Sequence, residues 1–380
     1  MADGPLAAVV HLGRARARGE GVRVRGWIRT LEAAGGRAVA VPLLTDHRAR
    51  LGATPVGLPA VARGRAVPES LVWAPGSVAR RLRRLDPDLV VCVTSRAYHP
   101  ALSHGRWVTV LDHVDRLGLS YEGRSRIARS APRRATYRAL SATARRFERI
   151  TVDNGVHQVA AGWADAAALG AVWLPIVVDE PEPRPEPEGD GAVDVCFVGT
   201  LSYPPNVEAV RTLAETWPSV RAARPTARAL IAGANPIDEV RNHASAHGWE
   251  LVPNFDDAAA VYRRARVAVS PLRTATGIQI KVLDAGRYGV AQVASPAALD
   301  GLAPGFPAAV AASPETMAAQ VVALLLDPDR RRQLAGAAAE EIARRYTAGA
   351  WVDTVQLLLS APPGSISAPA VLPSLAGLEP

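Results

Sequence analysis

A short segment in the middle of the chain most limits how the chain can fold. Residues 179–191 contain four prolines and six acidic residues but no aliphatic or aromatic side chain that a core could bury. Prolines hold such a segment extended, so we expect a semi-rigid linker between two domains. A chain of 380 residues is long enough for two cores. We predict an N-terminal domain over residues 1–178, a linker over 179–192, a C-terminal domain over 193–360 and a disordered tail over 361–380.

Both halves of the chain repeat a short apolar strand followed by a loop and an amphipathic helix. This alternation predicts an α/β protein with two doubly wound, Rossmann-like domains, each built on a parallel sheet. In the first half it predicts strands at residues 7–12, 39–44, 89–94, 107–111, 150–152 and 171–174, and helices at 22–34, 78–85, 130–150 and 156–168. In the second half it predicts strands at residues 193–198, 229–232, 250–252, 267–270 and 290–294, and helices at 207–220, 237–247, 258–264, 314–326 and 329–346.

Composition disfavours several classes of protein. The chain has no run of about 18 apolar residues, so no membrane-spanning helix is predicted. Residues 1–5 carry no basic region ahead of an apolar core, which argues against a signal peptide and favours a cytoplasmic protein. Cys92 and Cys196 each lie in an apolar, strand-like run, so we interpret them as core residues. No cluster with metal-ligand spacing occurs, and we predict no metal.

Basic residues are concentrated in the first half. Residues 1–178 hold 27 Arg against 13 acidic residues, whereas residues 179–380 hold 17 basic and 23 acidic residues. The basic half favours an anionic partner such as a phosphorylated acceptor, an anionic lipid surface or nucleic acid. Nucleic acid is disfavoured because the sequence has no zinc-finger spacing, no aromatic RNA-binding motif and only 5% aromatic residues.

Residues 130–150 predict a strongly basic helix. Apolar residues at helical spacing form one narrow stripe, with six arginines around it. Two interpretations stay open. The helix is either solvated and packed through that stripe, or it lies on an anionic membrane and makes a peripheral contact at the inner membrane face.

Lys281 is the only lysine in the chain, although the chain has 44 basic residues. A sequence so biased towards arginine should keep a lysine where a compact ammonium does what a planar guanidinium cannot, for example binding a phosphate as a point charge. The loop over residues 271–277 leads into a helical pattern, and a helix opened by Gly277 would present free amides to the same anion. Asp284, three residues on, would share the face of Lys281. A surface lysine present by chance is the alternative.

Two further segments follow buried strands, where open α/β sheets bind their ligands. Residues 112–115 are Asp-His-Val-Asp, so His113 and Asp115 could position a substrate hydroxyl or act as acid and base. A capped turn with a solvated histidine is the alternative. Residues 199–206 join a strand to a helix that Asn206 can cap, and such a turn points amides towards a ligand phosphate.

Several blocks of the second half resemble the retaining GT-B glycosyltransferases of family four. The blocks are residues 197–207, 254–257, 270–273, Gly277, 281–285 and 300–302. In the first half only residues 19–25, 86–91 and 112–115 are similar to the family. The resemblance implies two Rossmann-like domains that face each other across a cleft and a nucleotide-diphosphate sugar as donor.

The resemblance also implies roles for residues in the second half. Lys281 would hold the donor diphosphate, and the backbone amides of Gly277 and Ile278 would bind the same phosphates. Asp284 stands where the family usually has the second glutamate of its paired acidic motif, which binds the ribose hydroxyls. Thr276 stands where many members carry the first glutamate, near the donor sugar, and this departure puts the identity of the sugar in doubt.

Other positions of the family site are matched less closely. Gly199 and Thr200 lie in the turn after the first strand of the second half, but the Arg and Lys that many members place there are absent. Arg273 would then assist the phosphate contact. Gly233 and Phe255 would border the base.

In the first half, Gly19 and Gly21 match a glycine loop that closes over the diphosphate. His113 and Asp115 are candidates for the residue beside the sugar.

The implied activity is transfer of a sugar to an acceptor hydroxyl with retention of anomeric configuration, without a metal or a cofactor other than the donor. The acceptor would be a secondary metabolite, a lipid carrier or a polysaccharide, which suggests bacterial secondary-metabolite or glycoconjugate biosynthesis. Two alternatives stay open: a GT-B enzyme that isomerises or epimerises a nucleotide sugar, and a degenerate, non-catalytic transferase subunit, for which Thr276 is the reason.

Overall fold

A computed structural model describes residues 4–13, 18–43, 60–61, 63–73, 75–103, 105–128, 130–150, 156–182, 185–275 and 277–361. The chain divides into two compact units. The first contains residues 1–177 together with the C-terminal segment from Ala348, and the second runs from Val178 to Thr347.

The first unit is built on a six-stranded parallel sheet with strand order β2-β1-β3-β4-β5-β6. Strand β3, in the middle of the sheet, is apolar along its whole length and fully buried, as expected for a sheet covered on both faces. The strands are β1 (Leu6–His11), β2 (Arg37–Pro42), β3 (Leu89–Val93), β4 (Val108–His113), β5 (His157–Ala160) and β6 (Val172–Trp173). The helices are α1 (Arg18–Ala33), α2 (Pro75–Leu85), α3 (Leu117–Ile127), α4 (Ala131–Ile150) and α5 (Trp163–Leu169).

Two predictions in the first unit are wrong, the first of them because alanine-rich sequence was interpreted as helix. The helix predicted over residues 156–168 is strand β5 followed by the short helix α5. Its first residues pair with β4, and the burial gained beside that strand outweighs their helix propensity. The strand predicted over residues 150–152 is also wrong at Ile150, which ends α4, and its other two residues lie outside the described part of the chain.

The second unit contains the other six-stranded parallel sheet, with strand order β12-β11-β10-β7-β8-β9. The two sheets confirm the predicted doubly wound α/β fold. The strands are β7 (Val193–Val198), β8 (Ala229–Gly233), β9 (Glu250–Pro253), β10 (Ala265–Ser270), β11 (Ala291–Ala294) and β12 (Ala309–Val310). The helices are α6 (Pro204–Ala223), α7 (Asp238–His247), α8 (Ala258–Tyr262), α9 (Ile280–Arg287), α10 (Pro296–Leu299), α11 (Pro314–Leu326) and α12 (Pro328–Arg345).

The C-terminal segment belongs to the first unit, so the structure divides the chain differently from the prediction of a second domain over residues 193–360. Helix α13 (Val352–Ser360) follows a short 3₁₀ turn and packs on α1. In the 3₁₀ turn, the ring of Trp351 meets the ring of Trp173 edge to face at 5.5 Å between centroids. Trp351 and Trp173 are far apart in the sequence, so local sequence patterns do not predict this contact.

The acidic Pro-rich segment is held against the second unit by arginines, so its described residues do not form a free linker. Arg287 pairs with Asp179 and Glu182, and Glu186 accepts two hydrogen bonds from Arg331, at 3.1 Å to Nε and 2.6 Å to Nη2. Arg331 is only 5% exposed. Its fork–fork pairing with Glu186 is the strong, directional kind, which explains why a segment without apolar side chains still packs.

Among the described residues, no helix is long and apolar enough to cross a membrane. No group of three or more His, Cys, Asp or Glu residues in that part of the chain is arranged to hold a metal ion. Cys92 and Cys196 are both buried free thiols, as predicted.

Candidate functional site

The carboxyl ends of β7 and β10 form the candidate site of the second unit. These strands are neighbours in the sheet. The chain nevertheless continues from β7 to β8 and β9 on one side of β7 before it crosses to β10 on the other side, so the strand order reverses between β7 and β10. Loops that follow strands on the two sides of such a reversal diverge and leave a crevice in which open α/β sheets bind ligands. The loop after β7 contains Gly199 and Thr200, and the loop after β10 leads to Lys281.

Asn206 connects these two loops, but it does so from within α6 and not as the helix cap that was predicted. The helix begins at Pro204 with Tyr203 as its N-cap, because two prolines suit the first helical positions. The Asn206 side chain donates from Nδ2 to the carbonyl of Thr200 at 3.0 Å. A Cβ on Gly199 would lie 2.7 Å from that amide nitrogen, so the glycine makes room for this contact.

The Lys281 ammonium lies at the centre of the site. It donates to Oδ1 of Asn206 at 2.5 Å and lies 4.7 Å from the centroid of the Phe197 ring, in cation–π geometry. In the described part of the chain, no carboxylate lies within 4.0 Å of the ammonium. Burial lowers the pKa of Lys281 from 10.5 to about 7. The site therefore holds a half-buried cation without a counter-ion.

Helix α9 carries Lys281 in its first turn. The helix begins at Ile280, with Gln279 as N-cap, which is three residues after Gly277, where the sequence predicted the start of the helix. Gly277 has φ +63°, a left-handed conformation that favours glycine, and turns the chain before the helix. Lys281 is thus the second residue of α9, close to the free amides and positive dipole end of the helix. This placement keeps the predicted relation between the lysine and an anion-binding helix N-terminus.

Glycines pack the loops of the site against each other. A Cβ on Gly233 would lie 1.6 Å from the carbonyl oxygen of Gly199, and a Cβ on Gly301 would lie 2.5 Å from the carbonyl oxygen of Gly277. The second contact also approaches the amide nitrogen of Ile278. Both contacts are between backbones, so they fix the direction in which the loop amides point.

Asp284 lies one turn after Lys281 in α9, below the N-terminal end of the helix. Its charge contributes, after burial, to raising the pKa of Tyr262, so the carboxylate lies near that phenol. The hydroxyl of Tyr262 donates to the backbone carbonyl of Lys281 at 3.1 Å, and its ring stacks on Tyr288 at 5.6 Å between centroids. These two tyrosines support the helix that carries both charged residues.

Two other predicted donor residues make contacts of their own. Phe255 packs, half-buried, on the hydrophobic core of the second unit. Arg273 is exposed and pairs with Glu215 at 2.9 Å. Glu215 lies nine residues along α6 from Asn206, about 13 Å at the rise of an α-helix, so this arrangement does not bring the guanidinium to Lys281. Thr276 lies outside the described residues.

In the first unit, Gly19 and Gly21 lie in the first turn of α1 and not in the predicted glycine loop. The helix begins at Arg18, four residues earlier than predicted. Glu20 explains the early start, because its carboxylate accepts a hydrogen bond from the Leu12 amide at 2.7 Å and places the first turn directly after β1. An acidic side chain in that turn also suits the helix dipole.

The Asp112–Asp115 segment begins inside β4 and not after it. Asp112 is fully buried and accepts hydrogen bonds from Arg23 at 2.7 and 2.8 Å and from the Trp27 indole at 2.7 Å. This paired carboxylate anchors α1 to the sheet. Asp115, two residues beyond the strand, is half-buried.

His113 is fully buried, which overturns the solvated-histidine alternative. Its Nδ1 lies 3.1 Å from the hydroxyl of Ser95, and its Nε2 lies 2.9 Å from Oε1 of Gln158. Burial lowers the pKa of His113, and the hydrogen bond to Gln158 opposes that shift. The neutral ring therefore links the ends of β3, β4 and β5, and its predicted role beside a sugar stays a prediction.

Three residues of the site were not predicted from the sequence: Phe197 below the ammonium, Tyr262 below the helix and Gly301 against the Gly277 loop. Phe197 could have been predicted from the sequence. It lies in β7 two positions before Gly199, which follows the strand, and alternate positions along a strand share one face of the sheet. Tyr262 ends helix α8 and Gly301 follows helix α10, and only the folded sheet places them here.

Comparisons with known proteins agree with this fold. No curated protein sequence matches the chain. Sucrose-phosphate synthase from Thermosynechococcus elongatus is similar in structure, with a TM-score of 0.64 and 14% identity over 93% of this chain and 98% of that chain. HepE of Anabaena, solved with UDP and glucose, has a TM-score of 0.61 and 12% identity over 94% of this chain and 99% of that chain.

A third structure, TarM of S. aureus solved with Fondaparinux, alpha-GlcNAc-glycerol and UDP, has a TM-score of 0.58 and 10% identity over 76% of this chain. The chain spans 59% of the length of TarM. At such identities the likeness shows the fold, which is the GT-B fold of glycosyltransferases. The sequence of residues 192–327, which includes every residue of the candidate site around Lys281, matches the family model of the glycosyl transferases group 1.

Proposed function

We propose that the protein is a retaining glycosyltransferase of family four, which moves a sugar from a nucleoside diphosphate donor to an acceptor hydroxyl. The observation that carries the proposal is the Lys281 ammonium, which has no carboxylate within reach in the described residues and lies at the end of α9, between β7 and β10. A half-buried cation without a counter-ion is costly in the free protein. A ligand with negative charge at that point offsets the cost.

The donor diphosphate is the ligand that fits these groups. In the proposed complex, its oxygens replace Asn206 Oδ1 as acceptors for Lys281, and the amides of Gly277 and Ile278 and the first turn of α9 bind the same phosphates. Breaking the anomeric bond places further negative charge on the leaving diphosphate. Lys281 then stabilises the transition state more than the ground state, which is the condition for catalysis.

Asp284 would accept hydrogen bonds from the ribose hydroxyls, and Gly233 and Phe255 would border the base. Retention would follow from attack of the acceptor on the face that the diphosphate leaves, with the leaving phosphate taking the acceptor proton. UDP and glucose bound to HepE, and UDP bound to TarM, support a nucleotide sugar as the donor. No observation favours isomerisation of the sugar over its transfer.

The acceptor is proposed to be anionic, because residues 1–178 hold 27 Arg against 13 acidic residues. A phosphorylated or otherwise acidic acceptor would be attracted to this half of the chain. Bacterial secondary-metabolite or glycoconjugate biosynthesis is the proposed context.

A panel of nucleotide sugars tests the proposed function directly. The matching donor should raise the melting temperature of the protein, since a ligand at 100 times its dissociation constant stabilises the folded state by about 2.7 kcal/mol. Prolonged incubation of that donor without acceptor should release the free sugar and the nucleoside diphosphate. A panel without any thermal shift would contradict the proposal, and a new nucleotide sugar among the products would favour an isomerase.

Binding of a nucleoside diphosphate is expected to take up a proton at Lys281. Because burial lowers the pKa of the free lysine to about 7, a fraction of the protein holds it neutral at pH 7 to 8, and bound phosphate should raise that pKa again. Affinity should then fall as pH rises above about 7, by up to about tenfold per pH unit. Calorimetry in buffers with different ionisation enthalpies would measure the proton uptake directly.

The control is Lys281→Met, which should bind the nucleotide weakly and without proton uptake at this position. Measurements should stay above pH 7, where the diphosphate itself is nearly fully ionised. An affinity that is constant from pH 7 to 9 in the parent protein would show that the ammonium does not contact the phosphates.

A further inference from the structure

Helices α3 and α4 form a helical hairpin with a basic groove between them. The groove has a cavity volume of about 610 Å³ and is lined mainly by Arg126, Arg134, Arg138, Arg145 and the single acid Glu122. It is part of the first unit, whereas the site around Lys281 is part of the second.

The walls of the groove are fixed by contacts away from the arginines. The hydroxyl of Ser141 donates to the carbonyl of Gly118 at 2.8 Å, and the Gly118 amide donates to Glu148 at 3.0 Å. The rings of Tyr121 and Tyr137 stack at 6.4 Å between centroids. These contacts join α3 to α4 by hydrogen bonds and ring packing, so the groove does not depend on its own charges for its shape.

The charges inside the groove do not balance. Glu122 accepts from Arg126 at 2.6 Å and also pairs with Arg145, so one carboxylate serves two guanidinium groups. Arg134 and Arg138 have no carboxylate within 4.0 Å among the described residues. They lie one helical turn apart on α4 and so share a face. The groove therefore has four cations against one anion.

We propose that the groove between α3 and α4 binds a phosphoryl group, carried by a soluble phosphorylated molecule or by a lipid headgroup. Planar guanidinium groups bind phosphate oxygens through two parallel hydrogen bonds, and two adjacent arginines without acids suit a dianion. Arg145 lies two turns beyond Arg138 on the same stripe and can join the contact when the anion competes with Glu122. This site is independent of the proposed sugar transfer.

Calorimetry with inorganic pyrophosphate tests the site. All variants are made on a Lys281→Ala background, so that the candidate donor site does not contribute. The double change Arg134→Ala with Arg138→Ala should weaken binding by at least about tenfold, because two charge-assisted contacts are lost. Arg133→Ala with Arg149→Ala is the matched control: it removes the same charge from the same helix, outside the groove lining, and should change binding by less than about threefold.

Glu122→Gln gives a second readout with the opposite sign. It leaves Arg126 and Arg145 without their acid and should tighten pyrophosphate binding by about threefold or more, as the loss of a competing anion requires. Equal weakening in the groove double variant and its control, with no gain from Glu122→Gln, would overturn the proposal and leave a solvated basic surface.

The source of the phosphoryl group is identified with vesicles. Sedimentation with phosphatidylcholine vesicles that contain phosphatidic acid, against phosphatidylcholine alone, should depend on Arg134 and Arg138 if the headgroup is the ligand. Pyrophosphate binding without sedimentation supports the site with a soluble ligand. Sedimentation that is unchanged by the groove double variant, together with an absence of pyrophosphate binding, would contradict a localised site.

Discussion

Replacing Lys281 by alanine is expected to lower turnover by about a hundredfold or more, because removal of one preorganised group that stabilises transition-state charge typically costs this much. The fold should tolerate the change. The ammonium is held over Phe197, its hydrogen bond in the described part of the chain is to an amide oxygen, and burial disfavours its charge. The melting temperature should therefore stay the same or rise, so that activity and stability move independently.

Lys281→Arg is the more informative variant, since the chain uses arginine at every other basic position. A guanidinium is wider than an ammonium and stays charged at every accessible pH. It would have to fit between the Phe197 ring and Asn206 while permanently charged, in a site where burial disfavours the charged form. We expect turnover to fall by about tenfold or more, worth roughly 1.4 kcal/mol of transition-state stabilisation.

Arg273 supplies the matched control for both variants. Its guanidinium belongs to an exposed pair with Glu215, and exposed pairs contribute at most about 1 kcal/mol. Arg273→Ala should leave the melting temperature nearly unchanged, and a small effect on donor affinity would agree with its distance from Lys281. A Lys281→Arg protein with the turnover of the parent would refute the assigned role of the lysine.

The composition of the chain was enough to identify Lys281, but its environment required the structure. A single lysine among 44 basic residues stands out in one sequence and marks Lys281 as a candidate site residue. The loop before it was predicted correctly to lead into a helix. The missing counter-ion could not be predicted, because it depends on which side chains from β7 and α6 reach the same point. Such convergence is set by strand order, which local patterns do not contain.

Errors in the predicted fold have the same origin. Buried runs such as Leu89–Val93 were recognised because fully buried parallel strands are apolar along their whole length. Strand β5 was missed because the alanine-rich residues that follow it favour a helix when considered locally, and only its pairing with β4 selects the extended form. The residues from Ala348 pack with the first unit through Trp351 and α13. This contact joins residues separated by a large part of the sequence, and no linker or change of composition near Ala348 predicts it.

The acidic segment illustrates a third kind of limit. Its composition predicted a semi-rigid linker between two domains, because nothing in it is apolar and prolines hold it extended. Its carboxylates instead pair with Arg287 and Arg331 of the second unit, the latter nearly buried. Burying an arginine is costly unless it is paired and hydrogen-bonded, so Glu186 and Arg331 require each other. A prediction based on burial of apolar surface does not include this reason for packing.

Gly233→Ala is expected to destabilise the second unit by about 2 to 4 kcal/mol, a large effect for the addition of one methyl group. The new Cβ would lie 1.6 Å from the carbonyl oxygen of Gly199 and 2.9 Å from Cγ of Leu201. Relief by a small shift is prevented because the Gly199 amide donates to the carbonyl of Ala232 at 3.0 Å and the Asn254 amide donates to that of Gly233 at 2.9 Å. One of these backbone contacts must break.

The same displacement should also weaken nucleotide binding, since Gly199 packs on Asn206, which holds Lys281. Gly336→Ala is the matched control, because Gly336 lies exposed within α12 and a Cβ there would meet no atom within 4 Å. That change should stabilise the protein by about 0.5 to 1 kcal/mol, as expected for glycine replaced by alanine within a helix. Differential scanning calorimetry with and without nucleotide measures both effects. If the Gly233→Ala protein has the melting temperature and the nucleotide affinity of the parent, the backbone contact between these loops is not needed to build the site.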